Sequence, residues 1–490
     1  MSNYFIALDQ GTTSSRTVIF DEYGSIASQS QKEFTQIFPQ PGWVEHDPEE
    51  IWQSQLFTLE KALTEVNDAN AQFKCIGITN QRETTVVWNK TTGIPIYNAI
   101  VWQDRRTAPY CEQLKTNGLE NYIRSNTGLV ADAYFSGTKI KWLLENVAGA
   151  KKEAQKGNLL FGTIDTWLIW KLTNGKVHAT DFTNASRTLI FNIRSKAWDK
   201  TMIDELGILE NMLPEVKSSA EIFGHWEYKG NVIPISGVAG DQQAALFGQR
   251  CISEGMVKNT YGTGCFMLMY TGNHQINSKY GLLTTLAADE NGKPAYALEG
   301  SVFIAGAAVQ WLRDGIKIIN NAADSEQIAL TVPNSGGVVV VPAFTGLGTP
   351  YWDMYARGAI FGITRDTTEA HIVRATLESI AYQTKDILDA MVSDSGISIK
   401  SLQVDGGGSR NNLLMQFQAD ILEVQVNRSS MIESTAFGAM LLAIKGIGLD
   451  INNLKGNIFT SFNPKMDNQT RTLLYKKWHK AVERVKNWED

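Results

Sequence analysis

Tyr4-Phe5-Ile6-Ala7-Leu8-Asp9-Gln10-Gly11-Thr12-Thr13-Ser14-Ser15-Arg16-Thr17-Val18-Ile19-Phe20 is an apolar run, a polar turn built on Gly11, and a second, β-branched run. Short apolar runs on either side of a glycine-containing loop predict a β-hairpin. The loop is unusual in its filling: one carboxylate, four hydroxyls and a guanidinium fall within residues 9–16. Gly11 admits positive φ and a close approach of the backbone to a ligand. Successive N–H groups in such a turn make an anion-binding nest, and Arg16 offers a fork that suits phosphate. Asp9 would repel a phosphate, but it suits a divalent cation that accompanies one, held through water if the ion is Mg²⁺. The plain alternative is a polar hairpin tip with a capping Asp.

The theme returns twice. Residues 256–270 place two apolar runs around Gly262-Thr263-Gly264. Residues 401–405 read as a strand that enters Gly406-Gly407-Gly408 and then a helix with Leu413, Leu414, Phe417 and Ile421 on one face. A strand, a glycine turn and a helix start together suit a nucleotide's phosphate or sugar. Between these units, residues 233–240 run into Asp241 in the first turn of a helix, where a capping role is the plain alternative.

Residues 75–80 predict a buried strand, Gln81-Arg82-Glu83 a charged turn, and residues 84–88 a returning strand, which brings the turn to a sheet edge or cleft. Asp47-Pro48-Glu49-Glu50 opens a helix with Asp at the N-cap and Pro at N1. Trp52, Leu56, Leu59, Leu63 and Val66 give that helix one apolar face. Val373, Leu377, Ile380, Thr384, Ile387 and Met391 predict a long amphipathic helix, and residues 337–344 a buried strand. Arg105-Arg106 reads as a solvated helix start. Residues 120–235 are less regular, with helices near 137–147 and 165–172, and most of them carry no assigned chemistry.

A chain of 490 residues exceeds one hydrophobic core. Strands and helices alternate throughout, and each half begins with a phosphate-type hairpin. The expectation is therefore two α/β domains, residues 1–249 and 250–490, with Asp241 near their junction and the loops of both sheets facing one cleft. A formal charge of −6 gives no footprint for nucleic acid or an anionic membrane. The N-terminus lacks a signal-peptide pattern, no apolar run is long enough to span a bilayer, and the four cysteines show no CxxC spacing. Buried reduced thiols in the cytoplasm are expected. The six scattered histidines argue against zinc.

Asp9-Gln10-Gly11-Thr12-Thr13-Ser14-Ser15-Arg16, Gly240-Asp241-Gln242-Gln243, Gly262-Thr263-Gly264 and Asp405-Gly406-Gly407 together resemble the FGGY family of sugar kinases. The resemblance implies two RNase H-like, actin-like ATPase domains flanking an ATP cleft. Within the family, Pro41-Gly42-Trp43-Val44-Glu45-His46-Asp47-Pro48, Ile78-Thr79-Asn80-Gln81-Arg82-Glu83-Thr84 and Asn259-Thr260-Tyr261-Gly262-Thr263-Gly264-Cys265-Phe266 look like the members that phosphorylate glycerol. That likeness runs from about residue 4 to residue 445 and implies Mg-ATP-dependent phosphoryl transfer to glycerol.

Carried over position by position, the resemblance puts Arg82, Glu83 and Tyr134 on the polyol hydroxyls, and Trp102 and Phe266 against its carbons. Asp241 is implied as the general base, with Gln242 beside it. Thr12, Thr13, Ser14, Arg16 and Thr263 are implied at the phosphates, Gly306, Gln310, Gly407 and Asn411 around the adenosine, and Asp9 at Mg²⁺. It further implies a homo-oligomer, dimer or tetramer. Some bacterial relatives are regulated by phosphorylation of a histidine, through the phosphotransferase system, in the segment before Gly240-Asp241. His225 lies in that neighbourhood, but Phe223-Gly224-His225-Trp226-Glu227 does not align with that site, and a surface histidine is the competing expectation. A kinase for another sugar would differ at Trp102, Tyr134 and Phe266. A nucleotide-gated regulator without catalysis would not need Asp9 and Asp241 together with intact loops. A dehydrogenase would need a GxGxxG after a strand, which is absent.

Overall fold

The computed structural model describes residues 2–431, 433–451, 454 and 459–489. The opening stretch forms the expected hairpin. Strands Ser2–Gln10 and Ser14–Asp21 pair antiparallel with Asp9 opposite Arg16, and the Gly11 N–H donates to the Ser14 carbonyl at 2.9 Å. Ile26–Glu33 extends the hairpin on one side. On the other, Ala71–Asn80 and then Asn231–Gly240 add in parallel, and Ala220–Tyr228 closes the six-stranded sheet.

The second sheet repeats this plan. Met256–Tyr261 and Cys265–Gly272 form the hairpin and Pro294–Val302 extends it, while Ser401–Asp405 and Val426–Ser429 add in parallel on the other side. Leu283–Ala288 and Phe459–Phe462 lie at its edges, giving seven strands. Each half is therefore an antiparallel three-strand meander continued by two parallel strands, the doubly repeated actin-like ATPase architecture expected from the resemblance.

The helix Glu369–Ser395 buries Val373, Leu377, Ile380, Thr384, Ile387 and Met391 as predicted. The helix Pro48–Glu65 starts on Asp47, whose carboxylate accepts the Glu49 N–H at 2.8 Å. Its inner face is more polar than its leucine spacing implied. Ile51, Leu59 and Leu63 are buried while Trp52 and Leu56 are only partly covered. A seam of Ser54, Gln55 and Thr58 bonds Ser15, Arg16 and Thr17 beneath the first hairpin.

Two local expectations are corrected. The segment after Glu83 does not return beside Ala71–Asn80; Val86–Asn89 pairs with Leu159–Gly162 in a separate ribbon. The strand expected over residues 337–344 is confined to Val339–Val341. The helix Ser434–Gly446, late in the chain, crosses back to the first sheet and packs on the Asp241–Gly248 helix through a shared apolar cluster that includes Phe5, Phe20, Phe247 and Phe437. Gly438 allows that crossing, since a Cβ there would stand 1.8 Å from the Ala244 carbonyl oxygen. All four cysteines are buried and free. No helix among the described residues is long and apolar enough to cross a membrane.

Candidate active site

Asn231–Gly240 delivers Asp241 as the first residue of a helix whose N-cap is Gly240. Asp241 is therefore inside the helix rather than its cap. Its Oδ1 accepts the Gln242 N–H at 2.7 Å and faces Arg82 Nε at 3.2 Å. About a third of its side chain stays open (34%). The turn is held from below, where the Gly240 N–H donates to Thr183 Oγ1 at 2.9 Å. Burial raises the proton affinity of Asp241, and the Arg82 charge opposes that shift.

Arg82 and Glu83 are not an exposed charged turn. Both are buried, and Glu83 takes a positive φ of 62°. The Glu83 carbonyl that this conformation turns inward receives Ser136 Oγ at 3.0 Å and Lys139 Nζ at 3.3 Å. Lys139 also donates to the Tyr134 carbonyl at 2.7 Å, and burial lowers its pKa to about 7. Arg82 directs Nη1 and Nη2 at Glu299 of the second sheet, at 2.6 and 3.2 Å. Glu83 Oε1 accepts Arg187 Nε at 2.6 Å, and Arg187 Nη2 reaches Glu299 at 3.0 Å. Burial works against a charged Glu299, but Arg187 and Arg82 together hold its carboxyl down to about 2.

Trp102 and Tyr134 meet edge to face at 5.6 Å. The Trp102 indole N–H donates to Thr12 Oγ1 at 3.0 Å, which ties the apolar wall to the first hairpin. Phe266 lies across from Thr260 and Ser301, on the face of the second sheet that also carries Lys258 and Glu299. Lys258 donates to Gln242 Oε1. Arg16 is paired with Glu433 at the start of the Ser434–Gly446 helix, so part of its fork is already occupied. Ser14 Oγ accepts from Gln31 at 2.9 Å, and Thr13 is exposed at the tip. Arg106 corrects another expectation. It is not solvated but buried, its guanidinium 3.8 Å from the Trp43 ring and paired with Glu45 and Asp104 at 2.7 and 2.8 Å.

The residues expected on the nucleotide side converge. Thr263, Gly306, Gln310, Gly407 and Asn411 line one cavity of about 470 Å³. Two glycines dock its walls on the second hairpin. A Cβ on Gly306 would stand 2.5 Å from the Gly262 carbonyl oxygen, and one on Gly406 2.4 Å from that of Tyr261. Asn411 also caps the helix that follows, its Oδ1 accepting the Leu414 N–H at 2.9 Å.

Asp9 is the candidate cation ligand. Burial pushes its pKa up to about 7, with Arg16 acting against the shift and Glu433 and Asp241 adding to it. No group of three or more His, Cys, Asp or Glu side chains among the described residues can enclose a metal. One desolvated carboxylate beside a phosphate-type loop fits a magnesium ion whose remaining ligands are water and phosphate oxygens.

Models of the N-terminal and C-terminal domains of the FGGY family of carbohydrate kinases match residues 4–248 and 257–447. The chain belongs to the FGGY family of carbohydrate kinases. It is 60% identical to a glycerol kinase of Alkaliphilus oremlandii over all of this chain and 99% of that one, and 60% identical to a glycerol kinase of Carboxydothermus hydrogenoformans over 99% of each. Its fold superposes on a Plasmodium falciparum glycerol kinase solved with ADP with a TM-score of 0.94 at 39% identity, covering 99% of this chain and 98% of that one. A Lactobacillus acidophilus gluconate kinase shares the fold (TM-score 0.87, 21% identity, 99% and 98% covered).

Sequence reading of this FGGY kinase missed Lys139, Arg187, Gln243, Lys258 and Glu299. Lys139 and Arg187 sit in the stretch given no chemistry, and Glu299 in a strand with no polar motif around it. One local signal was available: an isolated charge inside an apolar β-run, as at Lys258 and Glu299, is costly unless paired.

Proposed function

We propose that this chain is an ATP:glycerol 3-phosphotransferase, which moves the γ-phosphoryl group of Mg-ATP in line onto a terminal hydroxyl of glycerol and releases ADP and sn-glycerol 3-phosphate. Full-length identity to glycerol kinases supports the substrate. The observation that carries the mechanism is Asp241, a partly open carboxylate set against the buried Arg82, Glu83 and Glu299.

Asp241 accepts the proton of the attacking hydroxyl through its open carboxylate oxygen, while Arg82 and the Gln242 N–H fix the other. Glu83 accepts from a second hydroxyl, Arg82 and Tyr134 lie beside it, and Trp102 and Phe266 cover the carbons. Asp9 would hold Mg²⁺ largely through water, and the ion would supply positive charge to offset that of the phosphates. Thr12, Thr13, Ser14, Arg16 and Thr263 hold the phosphates, and Gly306, Gln310, Gly407 and Asn411 surround the adenosine. The transition state is loose, so positioning and electrostatics do most of the work. Orientation supplies ~7–11 kcal/mol in well-aligned cases, and a general base ~10²–10⁴-fold. We divide the machinery between residues 1–249, which bear the acceptor carboxylates, and 250–490, which bear the adenosine cavity. Approach of the two halves excludes water. A homo-oligomeric, cytoplasmic enzyme is part of this proposal. His225 is exposed on the edge strand Ala220–Tyr228, open to a phosphotransferase-system donor; label retained in His225→Ala rules that regulation out.

The test is ADP release with Mg-ATP against glycerol, dihydroxyacetone, xylulose, ribulose, gluconate and no acceptor. Turnover confined to three-carbon acceptors is expected. Preference for a five- or six-carbon acceptor would keep the fold and overturn the substrate.

A further inference from the structure

Five charges of alternating sign, Asp241, Arg82, Glu299, Arg187 and Glu83, form one network of contacts, which closes where Arg82 Nε also faces Glu83 Oε1 at 3.8 Å. Asp241 and Glu83 are the two carboxylates that the proposed function puts on the acceptor, and Glu299, between the two arginines, is the middle member. The middle member comes from the other sheet, 217 residues from Arg82 and 112 from Arg187. Glu299 is 5% exposed at its side chain and both guanidiniums are at most 2%. Solvent therefore does little to screen these contacts.

Arg82 donates both of its terminal nitrogens to Glu299. Only Nε is left for the acceptor-site acids, 3.2 Å from Asp241 and 3.8 Å from Glu83. Arg187 is divided the same way, Nη2 to Glu299 and Nε to Glu83. One carboxylate thus draws two like charges together and turns one nitrogen of each, Nε, toward the acceptor-site acids. Without it, the Arg82 fork would turn to a bidentate grip on its nearest remaining carboxylates, Asp241 or Glu83. The two guanidiniums would also repel each other. Either change moves the open oxygen of Asp241 off the acceptor. The adenosine cavity is built from Thr263, Gly306, Gly407 and Asn411 and does not depend on this chain of contacts.

We infer that Glu299 is a positioning residue for the acceptor: it fixes the separation and orientation of Asp241 and Glu83 through the two arginines, and it completes the acceptor site only when the second sheet is seated against the first. The inference rests on the proposed reading of the site as a glycerol kinase.

Full-length E299Q and E299D decide it, assayed for ADP release against glycerol at saturating Mg-ATP and for ADP binding by calorimetry. E299Q should raise the glycerol KM by about 10- to 100-fold, the scale of one lost charge-assisted hydrogen bond or two, and lower kcat. The ATP KM and ADP Kd should stay within about twofold by the same reasoning, since no nucleotide contact is touched. E299D keeps the charge on a shorter arm and should recover part of the glycerol KM. Wild-type constants in E299Q overturn the inference. So does a loss of ADP affinity in step with glycerol KM, which marks a merely structural role. If E299Q does not fold, E299D carries the decision, and an unchanged glycerol KM there overturns it. A wild-type enzyme inactive on glycerol would sink the functional reading and this inference with it; an active wild type with indifferent variants sinks the inference alone.

Discussion

Asp241→Asn keeps the shape of the side chain and removes the proton acceptor. Turnover should fall by ~10²–10⁴-fold while glycerol affinity changes less; equal loss of both would mean that Asp241 only positions substrate. His46 gives a second prediction. It is fully buried, with Nε2 2.8 Å from Gln36 Oε1, and burial lowers its pKa from 6.5 to about 4. Between those values the unfolded chain binds the proton and the folded chain does not, so stability rises with pH across that window and is lost on acidification. Urea titrations from pH 6.5 down to 4 should show up to about 3 kcal/mol more loss in wild type than in His46→Gln. Parallel curves would refute the buried neutral ring. At this scale the sequence pointed to Asp9, Arg82, Glu83 and Asp241, because each sits in a short polar interruption of an apolar run. It did not reveal Arg187 or Glu299, whose partners lie far away in the chain.

Elements were legible where the signal is local. The two hairpins, the capped start of Pro48–Glu65 and the apolar stripe of Glu369–Ser395 all follow from turn residues and side-chain period. The partner of Val86–Asn89 was not legible, since a four-residue strand pairs wherever the tertiary fold brings an edge to it. Nor was the return of Ser434–Gly446 to the first sheet, because an apolar helix does not state which face covers it. That crossing makes an element-scale prediction. Gly438→Ala pushes a methyl into the Ala244 carbonyl, within the helix that carries Asp241. It should cost about 1–3 kcal/mol in urea unfolding and lower kcat with it. Unchanged stability would mean that the helices separate freely.

In the proposed reading, adenosine occupies the cavity lined by Thr263, Gly306, Gly407 and Asn411, and the acceptor meets Glu83 and Asp241 of the first half, so seating one half on the other would couple the two ligands. ADP at a hundred times its Kd should stabilise the folded chain by about 2.7 kcal/mol. Glycerol and ADP together should raise Tm by more than the sum of their separate shifts, and each should tighten the other by the same factor. Strictly additive shifts would show two uncoupled sites. Chelation of divalent cations should abolish turnover while ADP binding persists; undiminished activity in EDTA would remove Asp9 from its metal role.

The sequence by itself determined the two hairpins, their glycine turns, the two-fold repetition of the plan and the family, all features carried by contiguous residues and periodic patterns. Only the tertiary structure decided that Arg82 and Glu83 are buried, that Arg106 is enclosed by Trp43 and Glu45, and that Glu299 joins two arginines of the other half. A charge's partner more than a hundred residues away leaves no mark on its neighbours in the chain. Burial makes such pairing necessary, and the packing of the two sheets alone determines which charges meet.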